Sequence, residues 1–225
     1  MQINNRITSL AVVAGLAFGG SAFAAELAAG DFFVRAGVAN VMPDSDSDPV
    51  LGDPNNRVSV DDATSLGLTL TYMLTDHWAV ELLGASPFEH DIQAEGGISA
   101  VGKAGTTKHL PPTLYAQYYG QPMPNLHLYG GLGINHTQFF DEEASDSLRT
   151  ALGNDVTLGL EESWGWAVNL GADYDFTDRW FGTVSLWYVD IETTASVYLA
   201  DGSKADEFDV TIDPTVVLAG VGYRF

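Results

Sequence analysis

Few stretches of this chain set chemistry-bearing side chains at a working spacing. The most promising is PDSDSDPVLGDPNN, residues 43–56. Asp44, Asp46 and Asp48 alternate as the first three carboxylate ligands of an EF-hand loop do. However, Pro49 stands where that loop turns on Gly, and Asn55 where it closes on a bidentate Glu. The stretch reads as a solvated acidic loop, able at most to bind divalent cations weakly. GKAGTTK, 102–108, lacks the spacing and strand context of a phosphate loop. His77, His90, His109, His127 and His136 lie on separate segments without metal-ligand spacing. No G-x-S-x-G nucleophile turn occurs. The sequence thus predicts no catalytic set, no metal and no cofactor.

Three charged residues are informative because of their neighbours. Arg35 stands in DFFVRAGVANV (31–41), Glu81 in WAVELLGASPF (78–88) and Asp173 in ESWGWAVNLGADYDF (162–176). Each segment alternates with the period of a β-strand. In each, the charge shares its row mostly with small residues, while the opposite row is apolar: Val80 and Leu82, for example, lie opposite Ala79, Glu81 and Leu83. Mixed charges on inward rows predict a neutralising ion-pair network in the lumen of a small barrel. A barrel of eight strands fills its interior with side chains and leaves little room for a substrate. Two apolar residues break the same pattern. Leu83 shares the row of Glu81, and Trp187, in WFGTVSLWYVD (180–190), shares its row with Thr183 and Ser185. They either fill space or form a gate or ligand contact, and the two roles are compatible.

The elements that must carry these residues are eight alternating segments of about ten residues. They run over 31–41, 64–74, 78–88, 113–120, 126–140, 162–176, 179–192 and 210–225. Connections after the second, fourth and sixth are short (TDH, QPMPN, TD). The others, near 41–63, 89–110, 141–161 and 194–209, are long and rich in acidic residues. Short turns at one end and long loops at the other are the signature of an up-and-down antiparallel barrel in an outer membrane. The row directions agree. A water-soluble barrel hides its apolar row, whereas here the apolar rows end in Tyr72, Trp78, Trp164, Tyr174, Trp180, Tyr188 and Tyr223, where interfacial aromatic girdles belong. The chain ends in Tyr223 and Phe225, the terminal aromatic pattern that signals insertion to the barrel-assembly machinery, with periplasmic chaperones as escorts.

Composition narrows the compartment. Residues 1–24 carry one Arg, an apolar stretch too short to span a bilayer, and a small-x-small ending at Ala24, so they read as a cleaved secretory signal of a Gram-negative bacterium. The remainder, about 200 residues, suits one domain. Cysteine is absent, so no disulfide helps hold an exported chain together. With 9 basic and 30 acidic residues the net charge is −21, which removes nucleic acid as a partner.

Together FFVRAG, LGLTLTYMLTD, VELLGASPF, HLPPTLYAQYY, GINHTQFFDE, ESWG, SLWYVDIETTA and the closing GYRF resemble the OmpW family of outer-membrane proteins over nearly the whole mature chain. The resemblance implies an eight-stranded barrel whose narrow apolar lumen passes or binds small hydrophobic molecules. It also implies a Leu–Trp constriction, which falls on Leu83 and Trp187. The alternative is a structural or receptor role through the acidic extracellular loops, without transport. Outer-membrane lipid and lipopolysaccharide are the expected surroundings in either case.

Overall fold

The computed structural model describes residues 26–153 and 155–225, so the expected signal segment lies outside the described residues. The strands are β1 (Phe32–Met42), β2 (Asp46–Ser47), β3 (Asn56–Val60), β4 (Ala63–Met73), β5 (Trp78–Ala85), β6 (Phe88–Gly96), β7 (Lys103–Leu110) and β8 (Thr113–Met123). They continue with β9 (Leu126–Ala144), a short helix α1 (Asp146–Leu152), β10 (Val156–Leu160), β11 (Ser163–Asp175), β12 (Trp180–Val189), β13 (Glu192–Leu199), β14 (Lys204–Thr211) and β15 (Thr215–Arg224).

Eight of them close a barrel in the order β1, β4, β5, β8, β9, β11, β12, β15 and back to β1, every neighbour antiparallel. Closure leaves no unpaired edge, which a barrel in hydrocarbon requires. The Phe225 amide donates to the Phe32 carbonyl at 3.0 Å, so both ends of the barrel meet at the short-turn rim. Leu27 packs beneath a cluster of Phe33, Met73, Tyr119, Tyr129 and Phe181 at that rim.

The outward rows carry Leu66, Leu132, Ile134, Trp164 and Leu170, each at least 64% exposed. An apolar belt of this extent is foreign to a surface facing water and matches one facing lipid. Tyr72, Trp78, Tyr174 and Trp180 stand at the short-turn end of the belt, and Trp164 and Trp166 at the other. Inside, the barrel is closely filled. A Cβ on Gly171 would fall 2.2 Å from the Tyr129 ring, and one on Gly222 2.1 Å from the Phe181 ring, so both positions must stay bare for the inward aromatics to fit.

The long connections depart from the expected loops. They fold into a second storey on the barrel. The far half of β9 continues past the barrel and pairs with β7, which pairs with β6 and then β3. A second sheet runs β10, β13, β14, β2. Residues 43–56, expected as a solvated loop, instead supply β2 and bury Val50 and Asn56. Two expected strands divide at prolines. The 78–88 segment breaks before Phe88 at Pro87. The 210–225 segment splits at Pro214, where Asp213 takes a φ of 38°, so that Val210 belongs to the upper sheet and only Thr215 onward to the barrel. Proline lacks the N–H that a ladder needs, which explains both breaks.

Candidate functional site

The interior is organised in three tiers along the barrel axis. The lowest is polar. The structure brings Arg35, Glu81 and Asp173 together at the lumen centre, all three buried. Alternation on β1, β5 and β11 turns each inward. Arg35 Nη1 donates to Glu81 Oε2 at 2.6 Å, while Nε and Nη2 grip the two Asp173 oxygens at 3.2 and 2.6 Å. The bidentate fork fixes the guanidinium plane. Thr71 and Tyr119 accept from the remaining Arg35 donors at 2.8 Å each, and Gln117 Nε2 donates to the free Glu81 oxygen at 2.8 Å. The guanidinium carbon also lies 4.6 Å from the centre of the Tyr129 ring. Alternation alone did not reveal Thr71, Gln117, Tyr119 and Tyr129 as partners. They come from three other strands, and only the barrel closure selects them. A second group, His127, Asp175 and Arg224, lies nearer the short-turn rim, with His127 Nε2 3.0 Å from Asp175 Oδ2. Such a floor fills the lumen with paired charge, and the network contains no nucleophile paired with a base.

The middle tier holds the two residues that broke the lumen pattern. Trp187 is 1% exposed, and Leu83 packs against the cluster that contains it. Both line one cavity of about 30 Å³ with Phe88, His109 and Leu218. Its wall is incomplete. The β5–β8 ladder ends at Leu83–Thr113, and the β6–β7 ladder resumes at Phe88–His109. Between them no ladder pair joins residues 84–87 to 110–112, although Gly84 and Ala85 stay paired with β4 and Leu110 with β9; Pro87 stands on one side of this seam and Pro111 and Pro112 on the other. Gly84, Ala85 and Pro111 from this interruption line the cavity directly.

The top tier is a cavity of about 250 Å³ between the two sheets of the upper storey. Its lining is almost wholly apolar, with Val58, Ile92, Phe139, Leu158, Val197 and Phe208 representing the elements that meet there. Helix α1 closes one side through Leu148 and Leu152. Ser145 caps the helix, its Oγ accepting from the Leu148 amide at 3.0 Å, and Gly153 ends it at a φ of 65°. Charged side chains stand mostly on the outer faces, as in the Lys103–Asp91 pair at 2.7 Å. His109 lines the middle cavity, and Thr107, the β7 partner of His90, lines the upper one. The His90 and His109 rings stack at 4.8 Å with a 17° interplanar angle, and both are buried. Burial disfavours the charged imidazole, lowering the pKa of His90 and pushing that of His109 down to about 3. Sequence spacing scattered these histidines, since nineteen positions separate them. The inward row Phe88–His90–Ile92 was the available signal for one of them.

The OmpW family model matches residues 28–225. The chain belongs to the OmpW family. It is 46% identical to outer membrane protein W of Vibrio cholerae over 87% of this chain and 89% of that one. It is 24% identical to the dibenzothiophene metabolism operon protein DoxH of Pseudomonas sp. strain C18 over 85% of this chain and 87% of that one. Among solved structures, the outer membrane protein OprG of Pseudomonas aeruginosa superposes with a TM-score of 0.78 at 39% identity, covering 88% of this chain and 97% of that one. This OmpW-family chain is an outer-membrane β-barrel, as are outer membrane protein W and OprG.

Proposed function

We propose that this barrel admits small hydrophobic compounds across the outer leaflet of the outer membrane. Lipopolysaccharide hinders apolar solutes, so a protein path that keeps them out of water has a use. The observation that carries the reading is the apolar cavity of about 250 Å³ held above the lipid belt. Burying an apolar surface in a preformed cavity releases about 25 cal/mol per Å², and a storey of two sheets is a costly way to hold open space that nothing enters. The dibenzothiophene metabolism operon for which the relative DoxH is named points to fused-ring apolar compounds as the class. A solute passing from the upper cavity to the middle one reaches Leu83 and Trp187, our assignment for the gate. The ion-paired floor blocks the straight route. The unpaired wall at 84–87 and 110–112 supports a lateral exit into the bilayer, because separating strands there breaks no ladder hydrogen bonds.

Reconstitution into liposomes tests this, with flux of naphthalene and of a polar solute of similar size measured together. Naphthalene flux should exceed that of protein-free vesicles and of the polar solute. The double substitution Leu83→Ala with Trp187→Gly should raise it several-fold. Naphthalene flux at background in both proteins would end the transport reading.

A further inference from the structure

The upper cavity lies between two sheets, and the chain crosses from one sheet to the other at two places. Residues 48–55 lead from β2 to β3, and residues 145–155, with α1 among them, lead from β9 to β10. Both crossings line the cavity, the first through Val50 and Leu51, the second through Leu148, Ala151 and Leu152. They are held very differently. The first is pinned: Val50 is buried, the Leu51 amide donates to Asp206 Oδ2 at 2.7 Å, and Asn56 Nδ2 donates to the Val50 carbonyl at 3.2 Å. A further turn, Ser99–Val101, sits inside the β6–β7 hairpin, which the Ala94 amide closes on the Gly102 carbonyl at 2.8 Å. The second crossing is tied at its start, where the Ser145 amide and Oγ donate to the carbonyls of Ala104 and Lys103 at 2.9 and 2.6 Å. Beyond that point it is free of the sheets. Among the described residues, the hydrogen bonds and ion pairs of 146–152 end within the helix or on its flanks Ser145, Gly153 and Asp155. No residue of α1 is buried, and its length is seven residues. Isolated helices shorter than about 12–15 residues are marginal in water, so α1 is helical only while its ends are capped and its apolar side rests on the cavity.

From this contrast we infer that α1 is the entry lid of the upper cavity. It lifts between Ser145 and Gly153, unwinds as it lifts, and lets an apolar guest pass beneath it, while the crossing at 48–55 stays seated. Lifting gives up the bond from the Leu148 amide to Ser145 Oγ and the apolar contacts of Leu148, Ala151 and Leu152, but no ladder bond. Opening either sheet would break a ladder. The lid is therefore the part of the wall that opens at least cost. The inference rests on the proposed entry of apolar compounds and assigns their way in.

The test alters the helix without altering the cavity, since Ser145, Ser147 and Thr150 lie outside its lining. Ser145→Ala removes the cap and should raise the lifted fraction about fivefold. Ser147→Ala with Thr150→Ala places the best helix former at two exposed positions and should lower it about threefold. The full mature protein is placed in phospholipid nanodiscs with 2-fluoronaphthalene as the probe, and empty discs identify the lipid-dissolved signal. Exchange between bound and dissolved ¹⁹F signals gives the entry and release rates. Both rates should rise about fivefold in Ser145→Ala and fall about threefold in the paired variant, with affinity unchanged, because the helix is the same in the empty and the filled cavity. An independent reading uses wild type alone. The α1 amides should exchange with deuterium faster than those of β7 and β13, and the probe should slow them. Entry and release rates unmoved by either variant would overturn the lid and assign entry to another wall, while leaving apolar uptake standing. Protection of α1 equal to that of β13 would overturn it as well. A wild-type protein that gives no bound signal would remove the uptake reading and this inference with it.

Discussion

The barrel floor and the upper storey are built on opposite principles. At the centre of the floor, buried charge is matched: the Arg35 guanidinium meets two carboxylates, a threonine and a tyrosine, all of them buried. In the storey above, charge stands on the outside and the interior is hydrocarbon around a cavity. The floor closes, and the storey holds space. The difference teaches that the lipid belt does not decide what the interior contains. The same outward apolar rows surround a polar plug, and the apolar cavity lies above the belt, among strands whose outer faces meet water.

The largest effect should follow from unbalancing the floor. Arg35→Met leaves Glu81 and Asp173 buried without a counter-charge, and breaking a buried pair from one side costs about 3–5 kcal/mol. Urea unfolding of the folded protein in lipid vesicles should show that loss. Adding Glu81→Gln and Asp173→Asn to Arg35→Met should restore most of it, because the penalty lies in the uncompensated charges. If the triple variant is no more stable than Arg35→Met, the floor is held by shape and not by charge balance.

The storey should yield to acid. His109 has its pKa held near 3 by burial, against an ordinary value of about 6.5. The unfolded segment therefore takes up a proton that the folded one refuses. Stability is complete above about pH 6.5 and is lost progressively as the pH falls toward 3. At pH 4.5, two units below the unfolded pKa, the loss amounts to about 3 kcal/mol. His90, lowered by the same burial although Asp61, Asp62 and Asp91 oppose the shift, acts in the same direction. Hydrogen exchange of residues 88–110 should accelerate between pH 7 and pH 4.5, after correction for intrinsic rates, while β11 and β12 stay protected. His109→Phe should flatten most of that response. Equal acceleration in both tiers would erase the distinction.

The two regions also differ in how far they could be read from the sequence. The barrel strands were legible because two solvents enforce the alternation: lipid selects Leu66, Leu68, Leu70 and Tyr72 on one row, and the crowded lumen selects Gly67, Thr69 and Thr71 on the other. Arg35, Glu81 and Asp173 stood out against that background, as did Leu83 and Trp187. The storey was hidden for a physical reason. Its strands are short, and one face of each meets water, so polar side chains such as Arg57, Asp91, Ser196 and Glu207 are interleaved with Val58, Ile92, Val197 and Phe208. Flanked by acidic turns, such short strands read as loops. Pairing between segments as distant as Asp46 and Thr211 cannot be seen in local periodicity. The His90–His109 stack depends on such pairing, which brings Phe88 opposite His109.

The smallest effect sharpens the comparison most, because it holds chemistry and distance nearly constant. Lys103 and Asp91 pair at 2.7 Å on the outside of the storey, and Arg35 and Glu81 pair at 2.6 Å in the floor. The outer side chains are 45% and 41% exposed, the inner ones fully buried. In water each outer ion recovers its hydration when the pair breaks, and the side chains regain rotational freedom, so the pair is worth roughly 0–1 kcal/mol. In the floor neither ion recovers anything. Lys103→Met should therefore shift the unfolding midpoint by less than about 0.5 kcal/mol, and added salt should shrink that shift further. A loss approaching that of Arg35→Met would mean that the outer face of the storey is shielded from water in the membrane, by lipopolysaccharide or by a neighbouring protein, and that the contrast between the tiers is one of shape alone.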